Sequence, residues 1–193
     1  MVVLLPCDNN MKVTSQLLKR STYVYVSSIV YVCAFFFFLY EGLYSNDYDI
    51  AGFLSESNVS IPFQSKVLSD LSFDKIFITN EIYIVKNYLG LATFGIYPLI
   101  MLIYNGGFFG MFVSVTIQNT SLSFVVAHTL PHSFELVPVI LSAADSIFLG
   151  VHFVYRILRG HSHEINYLHF FKNFLLYTII IAIAAFCESH VTP

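Results

Sequence analysis

The chain has 193 residues, is 56% hydrophobic and 11% charged, and has a mean hydropathy of +0.71. Soluble domains carry about 25% charged residues, so the composition excludes an ordinary soluble domain and predicts an integral membrane protein in contact with the lipid bilayer. The formal net charge of −3 is too small to favour a nucleic-acid partner, and three widely spaced cysteines favour neither a disulfide framework nor a zinc knuckle.

The apolar runs predict an all-α fold, a polytopic transmembrane helical bundle of about five spans, because one span needs about 20 apolar residues. We expect residues 1–20 to form a cytoplasmic N-terminal tail and residues 21–193 to form a single membrane-embedded helical domain. Residues 44–81 hold half of the acidic side chains and are predicted to form a polar segment on the outer side. The predicted spans, in chain order, cover residues 21–43, 82–104, 107–128, 133–158 and 166–188.

Two of the predicted span boundaries depend on turn-forming residues. Asn105-Gly106-Gly107 favours a turn, and it divides an apolar run that is too long for one span. Pro131 is expected to end the third span, because proline lacks a backbone N–H and disfavours a helical conformation in the residue before it. Gly106 and Gly110 also form a GxxxG pattern, which is typical of close helix packing and is compatible with a homodimer through that face.

The basic residues predict the orientation in the membrane. With five spans, the basic residues before the first span and those around the junction of the last two fall on the same side of the bilayer. The positive-inside rule makes that side cytoplasmic, so we expect a multi-pass protein of the cell membrane with its C-terminus outside. The turn around Pro131, the end of the last span and Asn87 then lie near the outer leaflet. The basic residues in question are Lys12, Lys19, Arg20, Arg156, Arg159 and Lys172.

The most unusual stretch is residues 127–138, AHTLPHSFELVP, which carries His128, His132 and Glu135 between apolar runs. A fixed charge at the middle of the bilayer costs about 2.5 to 3.5 kcal/mol on insertion scales, so such residues persist mainly where a fold uses them. A second polar cluster, with Glu188 and His190, ends the chain. The predicted topology places both clusters at the same depth.

Imidazoles and carboxylates from different helices are the ligands of a zinc or similar divalent ion. The candidate metal ligands are therefore His132, Glu135 and Glu188, with His128 and His190 as further ligands. Glu135 or Glu188 is also the candidate catalytic base of a hydrolase at the outer leaflet. The spacing matches no recognised metal motif, and a helix that ends at Pro131 would break the geometry of the histidine pair.

Two other interpretations remain open. In the first, Asn87, His132, Glu135 and Glu188 form a buried hydrogen-bond network that ties the helices together, each contact contributing about 0.6 to 2 kcal/mol. In the second, Glu135 and Asp145 line a path for a proton or a solute, as in a transporter component. Asp145 lies near the middle of a predicted span and must face the bundle interior or a water-filled cavity.

Three stretches resemble the stage II sporulation protein M family. The central one, AHTLPHSFELVPVILSAADSIFLG, has the family's Pro-His pair, followed three residues later by Glu and then by a small-residue helix. KNYLGLATFGIYPLIMLIYNGGFFG resembles its stretch of Asn plus Asn-Gly-x-x-x-Gly, and IAIAAFCESHVTP resembles its closing pattern. The matching positions are Asn87, Asn105, Gly106, Gly110, Pro131, His132, Glu135, Glu188 and Pro193.

The resemblance implies a polytopic helical membrane protein with membrane or cell-wall-remodelling partners. The family's namesake is understood as a non-catalytic scaffold of a cell-wall-remodelling complex in sporulation, and some relatives are encoded with circular bacteriocins. We therefore expect a scaffold or assembly component of a cell-envelope remodelling or secretion complex. Two residues depart from the family pattern, since Ser133 stands where Gly is usual and Asp145 stands where a small residue is usual.

Overall fold

The computed structural model describes residues 19–44, 72–120, 122–159 and 167–191, which form five α-helices and no strand. This confirms the predicted all-α class. Residues 1–18 of the predicted N-terminal tail and most of the predicted outer segment lie outside the described residues, whereas Arg20, predicted as the end of the tail, begins the first helix. The helices are α1 (Arg20–Tyr44), α2 (Phe73–Tyr88), α3 (Ile96–Asn119), α4 (Leu122–Arg159) and α5 (Tyr167–Val191).

Four of the described helices are long and apolar enough to cross a membrane. The segments that meet this condition are Arg20–Tyr44, Ile96–Gln118, Ser133–Leu158 and Tyr167–Ser189. In contrast, α2 has 16 residues, which corresponds to a length of about 24 Å, whereas a hydrocarbon core is about 30 Å thick. The sequence predicted about five spans, and the described part of the chain contains four helices of sufficient length.

The predicted break at Asn105-Gly106-Gly107 is wrong, because α3 continues through these residues. The chain turns earlier, after a short 3-10 helix at Leu89–Leu91. Phe94 and Gly95 adopt left-handed backbone conformations, with φ values of 55° and 86°, and the Gly95 N–H donates to the Gly90 carbonyl at 2.8 Å. The predicted span 82–104 is therefore divided between α2 and α3, and α2 begins nine residues earlier than that span.

Pro131 does not end a helix, since α4 runs without interruption from Leu122 to Arg159. The missing proline N–H removes one hydrogen bond, and membrane helices tolerate this loss. The chain breaks instead at Thr120, whose backbone is extended, with φ −141° and ψ −176°. The predicted boundary between residues 128 and 133 therefore lies inside α4, which at 38 residues is about 57 Å long.

The glycines of the GxxxG pattern pack α3 against α1. A Cβ atom at Gly106 would lie 2.6 Å from the Tyr31 carbonyl oxygen, and one at Gly110 would overlap the Phe35 carbonyl oxygen. Because the chain's own α1 occupies this face, the expectation of a homodimer through Gly106 and Gly110 is wrong. Gly106 packs against Tyr31, and Gly110, one turn later, packs against Phe35, one turn later in α1. The two helices α1 and α3 are therefore parallel.

The centre of the bundle lies against the middle of α4, where all residues from Ser142 to Ile147 are buried. Side chains of serine and alanine predominate there, which lets neighbouring helices approach closely. α2 runs parallel to α4, and α5 runs antiparallel to it. Aromatic and aliphatic residues of α1, including Ile29 at 61% and Phe36 at 60% exposure, face outward, as expected for contact with lipid.

Candidate functional site

Asp145 is the centre of a buried polar cluster that joins three helices. Its side chain is fully buried, at 0% exposure, which agrees with the expectation that it faces the bundle interior. Arg20, the first residue of α1, donates from Nε to Asp145 Oδ1 at 2.5 Å and from Nη2 to Oδ2 at 3.2 Å. Two groups of α5 complete the cluster, since Asn173 Nδ2 and the Tyr177 hydroxyl each donate to Oδ2 at 2.9 Å.

Tyr177 forms hydrogen bonds with both charged residues of this cluster, Arg20 and Asp145. Its hydroxyl donates to Asp145 and accepts a hydrogen bond from Arg20 Nη2 at 2.7 Å. The carboxylate therefore accepts bonds on both oxygens, and the opposite charge of the guanidinium offsets the cost of burying it. Reasoning from the sequence placed Arg20 among the cytoplasmic basic residues and did not find this ion pair, because its partner lies 125 residues away.

Asn87, at the end of α2, forms a second connection to α4. Its partners there lie about 4.5 to 9 Å from Asp145 along the helix, at a rise of 1.5 Å per residue. Its Nδ2 donates to the Val139 carbonyl at 3.1 Å and to Ser142 Oγ at 2.9 Å, both in α4. Asn87 is 1% exposed, so the amide is enclosed by the bundle. Its described bonds tie α2 to α4 near Asp145. Asn87 lies at the end of α2, so its predicted position at the start of a span is wrong.

Glu135 and Glu188 are two further buried carboxylates, at a different depth in the bundle from Asp145. They are 8% and 3% exposed, respectively. Glu135 precedes Asp145 by ten residues, and Glu188 follows Tyr177 by eleven. The helices α4 and α5 are antiparallel and are joined at Asp145 and Tyr177. At a rise of 1.5 Å per residue, both glutamates therefore lie about 15 to 17 Å from that junction, in the same direction along the bundle.

For the histidines among the predicted metal ligands, the structure describes the backbone but not the side chains. His128 and His132 lie in α4 and His190 lies in α5, while their side chains are outside the described part of the structure. Among the side chains that are described, no three His, Cys, Asp or Glu residues form a group suited to a metal ion. The continuity of α4 through Pro131 nevertheless removes the objection that a helix break separates His128 from His132.

A cavity of about 200 Å³ adjoins Glu135. Asn105 lines the same cavity, although the predicted topology placed it on the opposite side from Glu135. Tyr31 of α1 also lines it, is 5% exposed, and has a hydroxyl with no hydrogen-bond partner among the described residues. Sequence reasoning did not single out Tyr31, because one tyrosine in an apolar run carries no distinguishing pattern.

A further polar contact joins α2 to α5. The Thr178 hydroxyl donates to Glu81 Oε1 at 2.9 Å, so a residue assigned to the predicted outer segment takes part in the helical bundle. Thr178 also donates to the Phe174 carbonyl at 3.1 Å. With the Asp145 cluster and Asn87, this contact connects the shorter helix α2 to both of the long C-terminal helices.

Comparison with known proteins identifies a family. The family model described as Stage II sporulation protein M matches residues 23–193. An uncharacterized protein of Methanocaldococcus jannaschii is 31% identical over 155 residues, covering 75% of this chain and 86% of the relative. No solved structure matches.

Proposed function

This chain belongs to the stage II sporulation protein M family, and we propose that it is a multi-pass scaffold or assembly component of a cell-envelope remodelling or secretion complex. A scaffold must hold its binding surfaces in a fixed arrangement. The single observation that carries the proposal is the buried Arg20–Asp145 ion pair with Tyr177 and Asn173, which fixes α1, α4 and α5 relative to one another. Breaking such a buried pair is costly, so it favours one helix arrangement.

We place this scaffold in the cell membrane with its N-terminus in the cytoplasm and its C-terminus outside. The helix directions support this topology, because α1, α3 and α5 run one way and α2 and α4 run the other. The turn after α2 extends the path of that helix along α4, since Gly95 packs against Ile147 and Gly150. Cysteine labelling from each side of the membrane tests the orientation, and labelling of both termini from the same side would contradict it.

Recovery of partners from native membranes tests the scaffold proposal. A tagged full-length chain, expressed in its native host and solubilised in several mild detergents, is expected to retain envelope-remodelling or secretion proteins. The variant Asp145→Ala is expected to lose them, because it releases the helices from one another. Asp74→Ala, at an exposed acidic residue in the first turn of α2, is the matched control and is expected to retain them. Recovery of the bare protein in every detergent would contradict the proposal.

The continuous helix α4 favours a second candidate function, a metal-dependent hydrolase. In an uninterrupted helix, His128, His132 and Glu135 have the spacing i, i+4 and i+7, which places their Cα atoms along one face. Glu188 is buried at a matching level on α5, so a fourth ligand of the correct chemistry is available from a second helix.

Metal analysis tests this second candidate. Purified protein is expected to contain one equivalent of Zn, Fe or Mn, and His132→Ala is expected to lose the metal together with its cellular activity. His169→Ala serves as the control, because His169 is an exposed histidine near the other end of α5. The absence of stoichiometric metal, with full activity of His132→Ala, would exclude the hydrolase.

The Asp145 cluster weighs against a transporter path through that residue. A carboxylate that accepts four hydrogen bonds from Arg20, Asn173 and Tyr177 has its charge compensated within the protein. A solute or proton moving past it would have to displace these donors.

A further inference from the structure

Three lysines lie on the outside of the bundle, next in sequence to residues that form bonds inside it. Successive residues of a helix point about 100° apart, so a side chain that faces the interior has a neighbour that faces away. All three lysines are exposed, and they belong to three different helices. They are Lys19, immediately before α1, Lys86 in α2 and Lys172 in α5, and we call them the lysine belt.

The inner neighbours of these lysines fix the depth of the lysine belt. Arg20 and Asn173 bond Asp145 directly. Asn87 bonds α4 at positions about 4.5 to 9 Å from Asp145 along the helix. A lysine side chain is long and flexible, so Lys86 can bring its ammonium group to the depth of the other two. The belt therefore surrounds the bundle at about the depth of Asp145.

Among the described residues, none of the three lysines forms an ion pair. The acid at their depth, Asp145, is buried and is compensated by Arg20. Lys86 Nζ lies 6.0 Å from the centroid of the Tyr83 ring, at the outer limit of a cation–π contact. The positive charge of the lysine belt is thus available to an anion outside the described part of the chain.

The surface beside the lysine belt is apolar. Exposed aliphatic and aromatic side chains flank Lys86 in α2 and Lys172 in α5, as expected for residues in contact with lipid. A second copy of this chain would bring a second belt of the same sign, whereas an anionic phospholipid offers a negative headgroup together with apolar chains. The flanking residues are Ile82, Val85, Leu89, Phe171, Leu175 and Leu176.

The length of α1 supports a bilayer boundary at the same depth. The sequence has no charged residue between Arg20 and Glu41. At a rise of 1.5 Å per residue these two residues are about 31 Å apart, and a hydrocarbon core is about 30 Å thick. With Glu41 at one boundary of the core, Arg20 and the lysine belt lie at the other, where the phosphate groups of the lipids begin.

We propose that the lysine belt binds the headgroups of anionic phospholipids, whose acyl chains lie against the exposed apolar residues beside it. A zwitterionic lipid has no net charge to offer the three ammonium groups, so the belt selects lipids by charge. The proposal depends neither on the scaffold function nor on which side of the membrane the belt faces.

Quenching by brominated lipids measures this selectivity, because the chain has no Trp and a single Trp can be introduced as a reporter. The full-length protein is reconstituted in phosphatidylcholine mixed with phosphatidylglycerol, and one of the two lipids carries bromine in each sample. Leu176→Trp reports on the lipid beside the belt, one turn from Lys172. Tyr40→Trp, at an exposed position near the end of α1, reports on the opposite end of the bundle.

Phosphatidylglycerol is expected to bind beside Leu176→Trp at least about threefold more tightly than phosphatidylcholine. This preference is expected to fall towards one in about 0.5 M salt, because salt screens exposed charges. At Tyr40→Trp the two lipids are expected to bind about equally. The same ratio at both reporters in low salt would overturn the proposal.

Variants of the lysines assign the preference to the belt. Lys19→Gln, Lys86→Gln and Lys172→Gln, combined in the Leu176→Trp chain, are expected to reduce the preference to about one, because they remove the charges and keep polar side chains. Lys75→Gln, at an exposed lysine in the first turn of α2, is the matched control and is expected to retain the preference. A preference that survives in the triple variant would refute the assignment.

Two further measurements keep the test decisive if the triple variant does not fold. Lys172→Gln alone changes the lysine nearest the Leu176→Trp reporter and is expected to lower the preference. Inorganic phosphate, added at constant ionic strength, is expected to leave the preference unchanged, because it has no acyl chain to hold it at this surface. An unchanged preference in Lys172→Gln, or its loss in phosphate, would contradict a lipid as the ligand of the belt.

Discussion

Removal of either member of the Arg20–Asp145 pair is expected to destabilise the bundle. Asp145 is fully buried and accepts four hydrogen bonds, two of them from Arg20. Loss of one partner from a buried ion pair costs about 3 to 5 kcal/mol. The Arg20 side chain is 36% exposed, so solvent reduces that cost, and we expect about 2 to 4 kcal/mol for Arg20→Ala or Asp145→Ala.

The double variant distinguishes this ion pair from two independent contacts. Each single variant leaves an uncompensated charge, whereas Arg20→Ala with Asp145→Ala leaves neither. The double variant is therefore expected to lose about as much stability as the more severe single variant, so the coupling energy equals the loss of the milder single variant, about 2 to 4 kcal/mol.

Thermal unfolding followed by helical circular dichroism in detergent measures these effects, since the chain has no Trp for fluorescence. Losses of this size correspond to a decrease in Tm of roughly 5 to 15 °C for a protein of this length. The control Asp74→Ala, at an exposed position, is expected to change the stability by no more than about 1 kcal/mol. Strict additivity of the two single variants, or losses below about 0.5 kcal/mol, would refute the reasoning.

Three further predictions concern helix packing and use the same thermal assay. Gly110→Ala is expected to lower the Tm more than Gly107→Ala. The new methyl group meets the Phe35 backbone at position 110 but only the movable Phe38 ring at position 107. Equal decreases in Tm would contradict this. Asn87→Leu is expected to cost about 1 to 3 kcal/mol through loss of its two hydrogen bonds to α4, and an unchanged Tm would show that the amide is dispensable. Pro131→Ala is expected to leave the Tm unchanged or to raise it, because it restores a hydrogen bond inside a continuous helix; a large decrease would indicate that proline is needed to shape the chain there.

The helical class and the two terminal helices follow from composition and apolar length. Residues 21–43 and 166–188 of the prediction agree with α1 and α5 to within a few residues, because each is an isolated apolar run with polar neighbours. In lipid the backbone must satisfy its own hydrogen bonds, so such a run has few alternatives to a helix.

The interior boundaries could not be placed by counting turn formers. Gly106 and Gly107 usually favour a turn in water, but within a membrane the same residues allow α1 to approach α3 closely. The observed turn has its own signals in the sequence. Thr93 Oγ1 accepts a bond from the Tyr97 N–H at 3.1 Å, and Pro98 lies in the first turn of α3, where its missing N–H costs nothing.

The site was predicted in part, and for a specific physical reason. A charged residue in an apolar run can be recognised from the sequence, so Asp145, Glu135 and Glu188 were identified as buried candidates and all three are buried. Their partners cannot be recognised in this way. Tyr177 resembles an ordinary member of an apolar helix, and only the packing of α5 against α4 reveals its hydrogen bond to Asp145.

The ion pair also explains how the bundle accommodates a charged residue in the middle of α4. Asp145 stands where the resemblance described above implies a small residue, and Arg20 precedes the matched region, which begins at residue 23. A buried aspartate at that position requires a compensating cation, and the start of α1 is the place from which Arg20 reaches it. A small residue at the same position would need no arginine. The arginine and the aspartate therefore act together, and with Tyr177 they attach the first helix to the two C-terminal helices.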